Sequence, residues 1–125
     1  MTHKNNNVQI ALFRKIYLWL PVFIWMGVIF FLSAQPVLKS NQSFLLDFLI
    51  KKGAHVFEYA ILFILLSRAR NYRHHISTFL FTLSYAFLDE THQLFTPGRT
   101  GTIRDVLFFD LLGIILAWLY VPTRK

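Results

Sequence analysis

The chain has no cysteine. That excludes a disulfide framework, a thiolate nucleophile and any zinc centre built on sulfur, and it leaves the redox compartment open. Acid is also scarce: six Asp and Glu stand against thirteen Lys and Arg, for a formal charge of +7 at pH 7. A nucleic-acid binder of that charge would interleave basic residues with exposed aromatics on a soluble scaffold, whereas here they punctuate apolar runs, so no nucleic-acid partner is expected. No internal repeat occurs, and no zinc-protease motif, nucleophile elbow or P-loop. No segment offers the broad charged face of a soluble amphipathic helix.

What is present is apolar. The 125 residues are 55% hydrophobic, with fourteen Phe and three Trp, a balance that makes membrane residence the first hypothesis. Ile16 to Ala34 carries no charge over nineteen residues, close to the roughly 20 that cross a hydrocarbon core of about 30 Å as a helix. A cleaved signal peptide would have a shorter apolar region and small residues spaced for cleavage, which Leu32, Ser33 and Ala34 fit poorly. Three further passes are less pure. Leu49 to Leu66 is interrupted by Lys51, Lys52, His55 and Glu58, Ile76 to Phe95 turns polar at Asp89, and Val106 to Val121 holds Asp110. Lipid cannot satisfy bare backbone groups, so each pass is expected to be helical, with its polar end facing protein, water or headgroups.

The fold class expected is therefore all-α: a polytopic bundle of four transmembrane helices over residues 16–121. Tails of 1–15 and 122–125 flank it, and the Asn5 to Asn7 run reads as a disordered tail. Lys4, Arg14, Lys15, Arg68, Arg70, Arg73, Arg124 and Lys125 fall on one side, and Lys39, Lys51, Lys52, Arg99 and Arg104 on the other. Eight against five puts both termini in the cytoplasm, with Tyr17, Trp19, Trp118 and Tyr120 as interfacial aromatics. All six acids, Asp47, Glu58, Asp89, Glu90, Asp105 and Asp110, then belong to the outer half.

At about 1.5 Å per residue from the cytoplasmic boundary, Glu58 would lie roughly 13 Å in, Asp110 about 17 Å and Asp89 about 20 Å. An ionised group facing lipid at such depth costs at least about 2.5 to 3.5 kcal/mol, so these groups are expected to share a cavity open to the outer surface. Lys52, His55 and Tyr59 form one helical stripe flanked by Lys51 and Glu58, and Asp89, His92 and Gln93 repeat the spacing. Blander roles compete: His55 and Tyr59 as interhelical hydrogen bonds, Lys51 as a snorkelling anchor, Asp89 as the ion-pair partner of Arg99 or Arg104. In Thr96 to Gly101, Pro97 fixes one backbone angle, and Gly98 and Gly101 permit positive φ on either side of Arg99. Backbone amides and a guanidinium presented together suit a phosphate or carboxylate.

These residues carry a resemblance. Ser33, Gln35 and Pro36 in LSAQP, Lys52, His55 and Tyr59 in KGAHVFEY, and Asp89, Glu90, His92, Gln93, Phe95, Pro97, Gly98, Arg99, Gly101 and Asp105 in DETHQLFTPGRTG resemble the VanZ-like family of small bacterial membrane proteins. The motifs run in order over about residues 16 to 118. The resemblance implies a helical bundle in the bacterial cytoplasmic membrane, and a founding member is linked to resistance to the lipoglycopeptide teicoplanin. One departure is visible in DVLFFDLLG. The family pattern puts Asn or Asp four residues after the position of Asp105, where this chain has Phe109, and Asp110 comes one later. On a regular helix the shift turns the carboxylate by about 100°. A one-residue π-bulge would restore it; without one, Asp110 falls outside the cluster.

Three functions compete. The first is binding or modification of an anionic amphiphile at the outer leaflet, a lipid-linked envelope precursor or a lipoglycopeptide. Lys52, Tyr59, Gln93, Arg99, Arg104 and Gln35 would hold it, and Ser33, Glu90, Pro97, Gly98, Gly101, Asp105 and Asp110 would support the site. The second is a membrane-embedded hydrolase of polyprenyl-phosphate lipids, with Glu58, Asp89, His55 and His92 as general acid and base or as ligands of a divalent ion. The third is a non-catalytic partner subunit whose polar cluster locks the bundle. Proton-coupled transport fits less well, because four unduplicated helices leave little machinery for alternating access. The residues specify no cofactor and no oligomeric state.

Overall fold

The computed structural model describes residues 2–36, 43–99 and 102–124; Lys39, Thr100, Gly101 and Lys125 lie outside them. Over the described residues the chain is all-helical, without a strand. Helix α1 is Thr2–Ser33, α2 is Phe44–Ala69 and α3 is His75–Gln93. A fourth rod joins three segments end to end: α4 (Ile103–Asp105), a π-helical turn over Val106–Asp110, and α5 (Leu111–Tyr120).

The expected tail at Asn5 to Asn7 is a correction, because α1 already runs through it from Thr2. Helix propagation adds one hydrogen bond for each residue fixed, so a long apolar helix extends into a neutral polar flank at little cost. Pro21 sits inside α1, where it leaves the Tyr17 carbonyl without its usual i+4 donor. Ser43 caps α2, its side chain accepting from the Leu46 amide at 3.4 Å and so satisfying one of the free donors of the first turn.

Between α2 and α3 the chain turns without glycine. Asn71, Tyr72 and His74 take positive φ of 55°, 58° and 60°. Asn tolerates that region, while Tyr and His give up about 1–2 kcal/mol each. Compensation is local: the Tyr72 amide donates to the Ser67 carbonyl at 2.8 Å, and the Tyr72 carbonyl accepts from the Arg124 amide at 3.1 Å. The Arg124 guanidinium lies 5.6 Å from the centre of the Tyr72 ring. Arg68 sits over Tyr17 at 5.0 Å. The early part of α1, the α2–α3 turn and the C-terminal segment thus share one end of the bundle, and the end of α1 meets the segment after α3 at the other.

α2 is the central rod, packed along α5 and against α1 and α3. Its Tyr59, Leu62, Phe63 and Leu66 meet Val22 and Ile29 of α1, Ala86 of α3, and Val106, Ile114 and Ala117 of the fourth rod in the core. Two aromatic donors tie α1 in: Trp25 Nε1 donates to the Glu58 carbonyl at 2.9 Å, and the Tyr85 hydroxyl donates to the Met26 carbonyl at 2.7 Å. One polar stripe of α3 points inward, while Ser77, Ser84 and Thr91 are exposed. His75, Thr78, Thr82, Asp89, Glu90 and Gln93 are all buried, and Thr78 and Thr82 return their hydroxyl protons to carbonyls four residues back.

Gly113 sets how closely α2 and α5 approach. A Cβ there would run into the Val56 backbone carbonyl, whereas Gly27 and Gly53 have nothing within 4 Å of the same position. Gly113→Ala should therefore destabilise the protein by about 1–3 kcal/mol, because the overlap is with backbone and cannot be relieved by a rotamer change. Gly27→Ala should be neutral or stabilising. Thermal unfolding of the two detergent-purified variants beside the parent would check both.

Candidate functional site

Where α1 ends, a cleft of about 350 Å³ opens between α1, α2 and the segment after α3. Of the residues expected at a site, Ser33, Gln35, Lys52, His55, Glu58, Gln93, Gly98, Arg99 and Asp105 line it, together with Leu32, Ile50 and Lys51, the last expected only as an interfacial anchor. Each polar group has a traceable position. Lys52 Nζ pairs with the Asp105 carboxylate and lies 5.9 Å and 5.4 Å from the ring centres of Phe48 and Phe109. Lys51 is held by Asp47 one turn back, at 2.6 Å. Gly98 turns with φ of 77° and, with exposed Pro97, brings Arg99 back onto α1. There Nε donates to the Gln35 carbonyl at 3.0 Å and Nη2 to the Leu32 carbonyl at 2.8 Å. A cation on the carbonyls of a helix end is favourable both as hydrogen bonds and against the helix dipole.

Below the cleft the groups close on each other. The hydroxyl of Thr96 donates to the Ser33 carbonyl at 3.4 Å. Gln93 Nε2 donates to Ser33 Oγ at 3.3 Å and to Asp89 Oδ2 at 3.0 Å. Tyr59 donates its hydroxyl proton to the same Asp89 oxygen at 3.1 Å. His55 Nδ1 lies 2.9 Å from Asp110 Oδ1 and 3.9 Å from Glu90 Oε1. The other Glu90 oxygen accepts from the Thr102 amide at 2.9 Å, so this side chain also caps the start of the fourth rod.

Asp110 reaches His55 through the π-helical turn of Val106–Asp110. The extra residue takes up the shift seen in DVLFFDLLG and returns the carboxylate to the inner face, where it is 0% exposed. Phe109, on the neighbouring position, packs edge-on against Phe48 at 6.1 Å.

Several expectations need correction. Tyr59 is fully buried and works behind the cleft, not within reach of a ligand. Asp89 takes its hydrogen bonds from Tyr59 and Gln93 and not from Arg99, which meets carbonyls, or from Arg104, which is exposed and outside the cleft lining. His92 leaves the cluster: its ring stacks on Phe30 with centroids 4.2 Å apart, on the α1 side of α3. The Gln35 amide, expected to face an anion, donates to the Phe31 carbonyl at 3.3 Å. The metal-ligand set regroups as well. Instead of His55 with Glu58, Asp89 and His92, one donor atom each from His55, Glu90 and Asp110 lies within 4.8 Å of the others. Trp25, Thr102 and Phe48 were not anticipated: an indole inside an apolar run and a backbone amide in a loop give no spacing signal.

This arrangement defines a small all-helical protein with polar groups gathered inside and large apolar side chains outside. A family model described as VanZ/LLP1 matches residues 13–124, and the chain belongs to that family. No curated protein and no solved structure matches it. Residues 5–33 of α1 are also long and apolar enough to cross a membrane, with a mean hydropathy of 2.1 over an 18-residue stretch of which 17% is buried. Family and helix together point to a membrane protein.

If the π turn exists to aim Asp110, its extra residue is dispensable once the register is mended. Deleting the exposed Phe108 puts the Asp four places after Asp105 on a regular helix and should cost no more than about 1 kcal/mol, near the range of an ordinary surface change. Deleting Leu112 instead swings Ile114 and Ala117 out of the core and should abolish cooperative unfolding. Circular-dichroism melts of the two deletions would discriminate.

Proposed function

We propose that the chain is a multi-pass protein of the bacterial cytoplasmic membrane, with both termini in the cytoplasm, whose outer cleft binds the anionic headgroup of an amphiphile. Four passes are supported by length and by exposure. α2 has 26 residues, α3 19, and the fourth rod 3, 5 and 10 in its successive segments, so each reaches about 27 Å or more at 1.5 Å per residue. Their outward faces carry Phe57 at 70% exposure, Leu88 at 67% and Leu119 at 80%. In water such a surface would drive association; in acyl chains it is the expected solvent face.

The observation that carries the headgroup reading is Arg99. It is the cation of the cleft whose hydrogen-bond partners are uncharged carbonyls, with Glu58 across the same cleft, while Lys51 and Lys52 are ion-paired with Asp47 and Asp105. An oxyanion entering the cleft would complement that charge and take bidentate hydrogen bonds. Leu32 and Ile50, exposed beside it, would meet the start of the chains. A lipid-linked envelope precursor or a lipoglycopeptide has this chemistry, and capture of the latter is a route to teicoplanin-type resistance.

A second reading rests on His55 and Glu58, which line the same wall. The carboxylate of Asp110 on His55 Nδ1 would orient the imidazole for acid and base work on a polyprenyl phosphate. Incubating the purified protein with labelled polyprenyl phosphate decides it, since absence of product removes the hydrolase.

Native mass spectrometry of the purified chain should reveal co-purified anionic lipid in preference to zwitterionic lipid. Arg99→Gln should weaken polyprenyl-phosphate binding about tenfold or more, the loss of a charged hydrogen bond. A folded Arg99→Gln protein that binds as tightly as the parent would end the proposal.

A further inference from the structure

The floor of the cleft gathers more carboxyl groups than the described residues around it can pair. Asp89, Glu90 and Asp110 are 4%, 5% and 0% exposed, and the one basic group among them is the imidazole of His55. Lys52 is engaged by Asp105 at the rim and Arg99 by the end of α1. Three buried oxygens, Asp89 Oδ1, Glu90 Oε1 and Asp110 Oδ2, have no hydrogen-bond partner among the described residues. A buried carboxylate oxygen without donor or cation is costly, so a persistent cluster of them calls for a compensating group.

We propose that His55, Glu90 and Asp110 form a binding site for one divalent transition-metal ion of the Mn²⁺, Fe²⁺ or Zn²⁺ type. Metal–ligand arms of about 2.0–2.2 Å set neighbouring donor atoms about 3–4 Å apart. His55 Nδ1 stands 2.9 Å from Asp110 Oδ1 and 3.9 Å from Glu90 Oε1, and all three donors fit within 4.8 Å. The ion would replace the direct His55–Asp110 contact, taking Asp110 Oδ1 and the otherwise unpartnered Glu90 Oε1 as its carboxylate donors. One imidazole with two carboxylates suits these borderline cations better than Ca²⁺ or Mg²⁺, which prefer oxygen alone. The donors come from α2, α3 and the π turn, three separate elements, so the site is a property of the folded bundle. Tyr59 and Gln93 hold Asp89 beside it, fixing the third carboxylate without charge. The inference stands apart from the headgroup reading, since a metal can sit on this floor whatever enters above.

The full chain, purified in detergent and stripped with EDTA, is titrated with MnCl₂ while free Mn²⁺ is followed by electron paramagnetic resonance. A parallel ZnSO₄ equilibration is quantified by plasma mass spectrometry. One ion per chain is expected, with a rise in thermal midpoint on metal addition. Glu90→Gln and Asp110→Asn should each bind at least about tenfold more weakly, while Asp47→Asn binds as the parent does. A folded parent that takes up neither ion overturns the proposal, and shows the carboxylates neutralised by protons. It is equally overturned by uptake that survives Glu90→Gln, or that vanishes with His92→Ala while Glu90→Gln leaves it intact. Should Asp110→Asn fail to fold, Glu90→Gln and the parent titration decide the matter.

Discussion

The imidazole of His55 and the buried carboxylate of Asp110 meet 2.9 Å apart at the floor of the cleft, and much else in the molecule follows from keeping them there. Neither group tolerates solitary burial. The contact therefore dictates the register of α2 against the fourth rod, and the fourth rod gives up regular α geometry over Val106–Asp110 to make it. Gly113, one turn further on, allows α5 to lie against the α2 backbone at Val56. Glu90 adds the third helix by reaching both toward His55 and to the Thr102 amide, so a single polar knot ties three rods. Beside the apolar core of Leu62, Phe63, Ile29 and Ile114, directional bonds of this kind add specificity that shape alone would leave loose.

Much of that was legible in the chain itself. The uncharged run of Ile16 to Ala34, the i, i+3, i+4 stripes of KGAHVFEY and the carboxylates of the third pass predict helices whose polar faces turn inward, because lipid and water exclude the alternatives. The register break in DVLFFDLLG was legible too, as a choice between a π turn and a lost contact. Only packing could decide it, since the outcome depends on whether His55 and Glu90 reward the extra residue.

What stayed hidden has a common cause. Spacing shows which side of a helix a residue occupies, but not which of several neighbours fills the space beyond. Tyr59, His92 and Gln93 share the inward half of their helices, yet Tyr59 is sealed in the core, Gln93 bridges Asp89 and Ser33, and His92 is rotated just far enough to stack on Phe30. Arg99 was read as presenting its fork to the cleft, and two of its five N–H donors are spent on the carbonyls of Leu32 and Gln35. Such acceptors are invisible in a sequence, because every residue has a carbonyl and only the fold decides which come within reach of a side chain.

The position of Arg99 couples two things that are otherwise separate. Its hydrogen bonds secure the last turn of α1, and the same guanidinium lines the cleft. Any anion that competes for it must either share the donors left free or draw the side chain away from α1. Sharing leaves the bundle as it is; withdrawal unfastens the end of α1, where Ser33 is also held by Gln93 and Thr96. Those two further bonds are neutral and long, 3.3 and 3.4 Å, so they would hold α1 only weakly once the guanidinium left. By linkage, a ligand that binds through withdrawal gives up part of its affinity to loosen α1, and a mutation that tightens α1 independently of Arg99 would return that affinity. The end of α1 is therefore the element through which occupation of the cleft would be felt along the rest of the first helix.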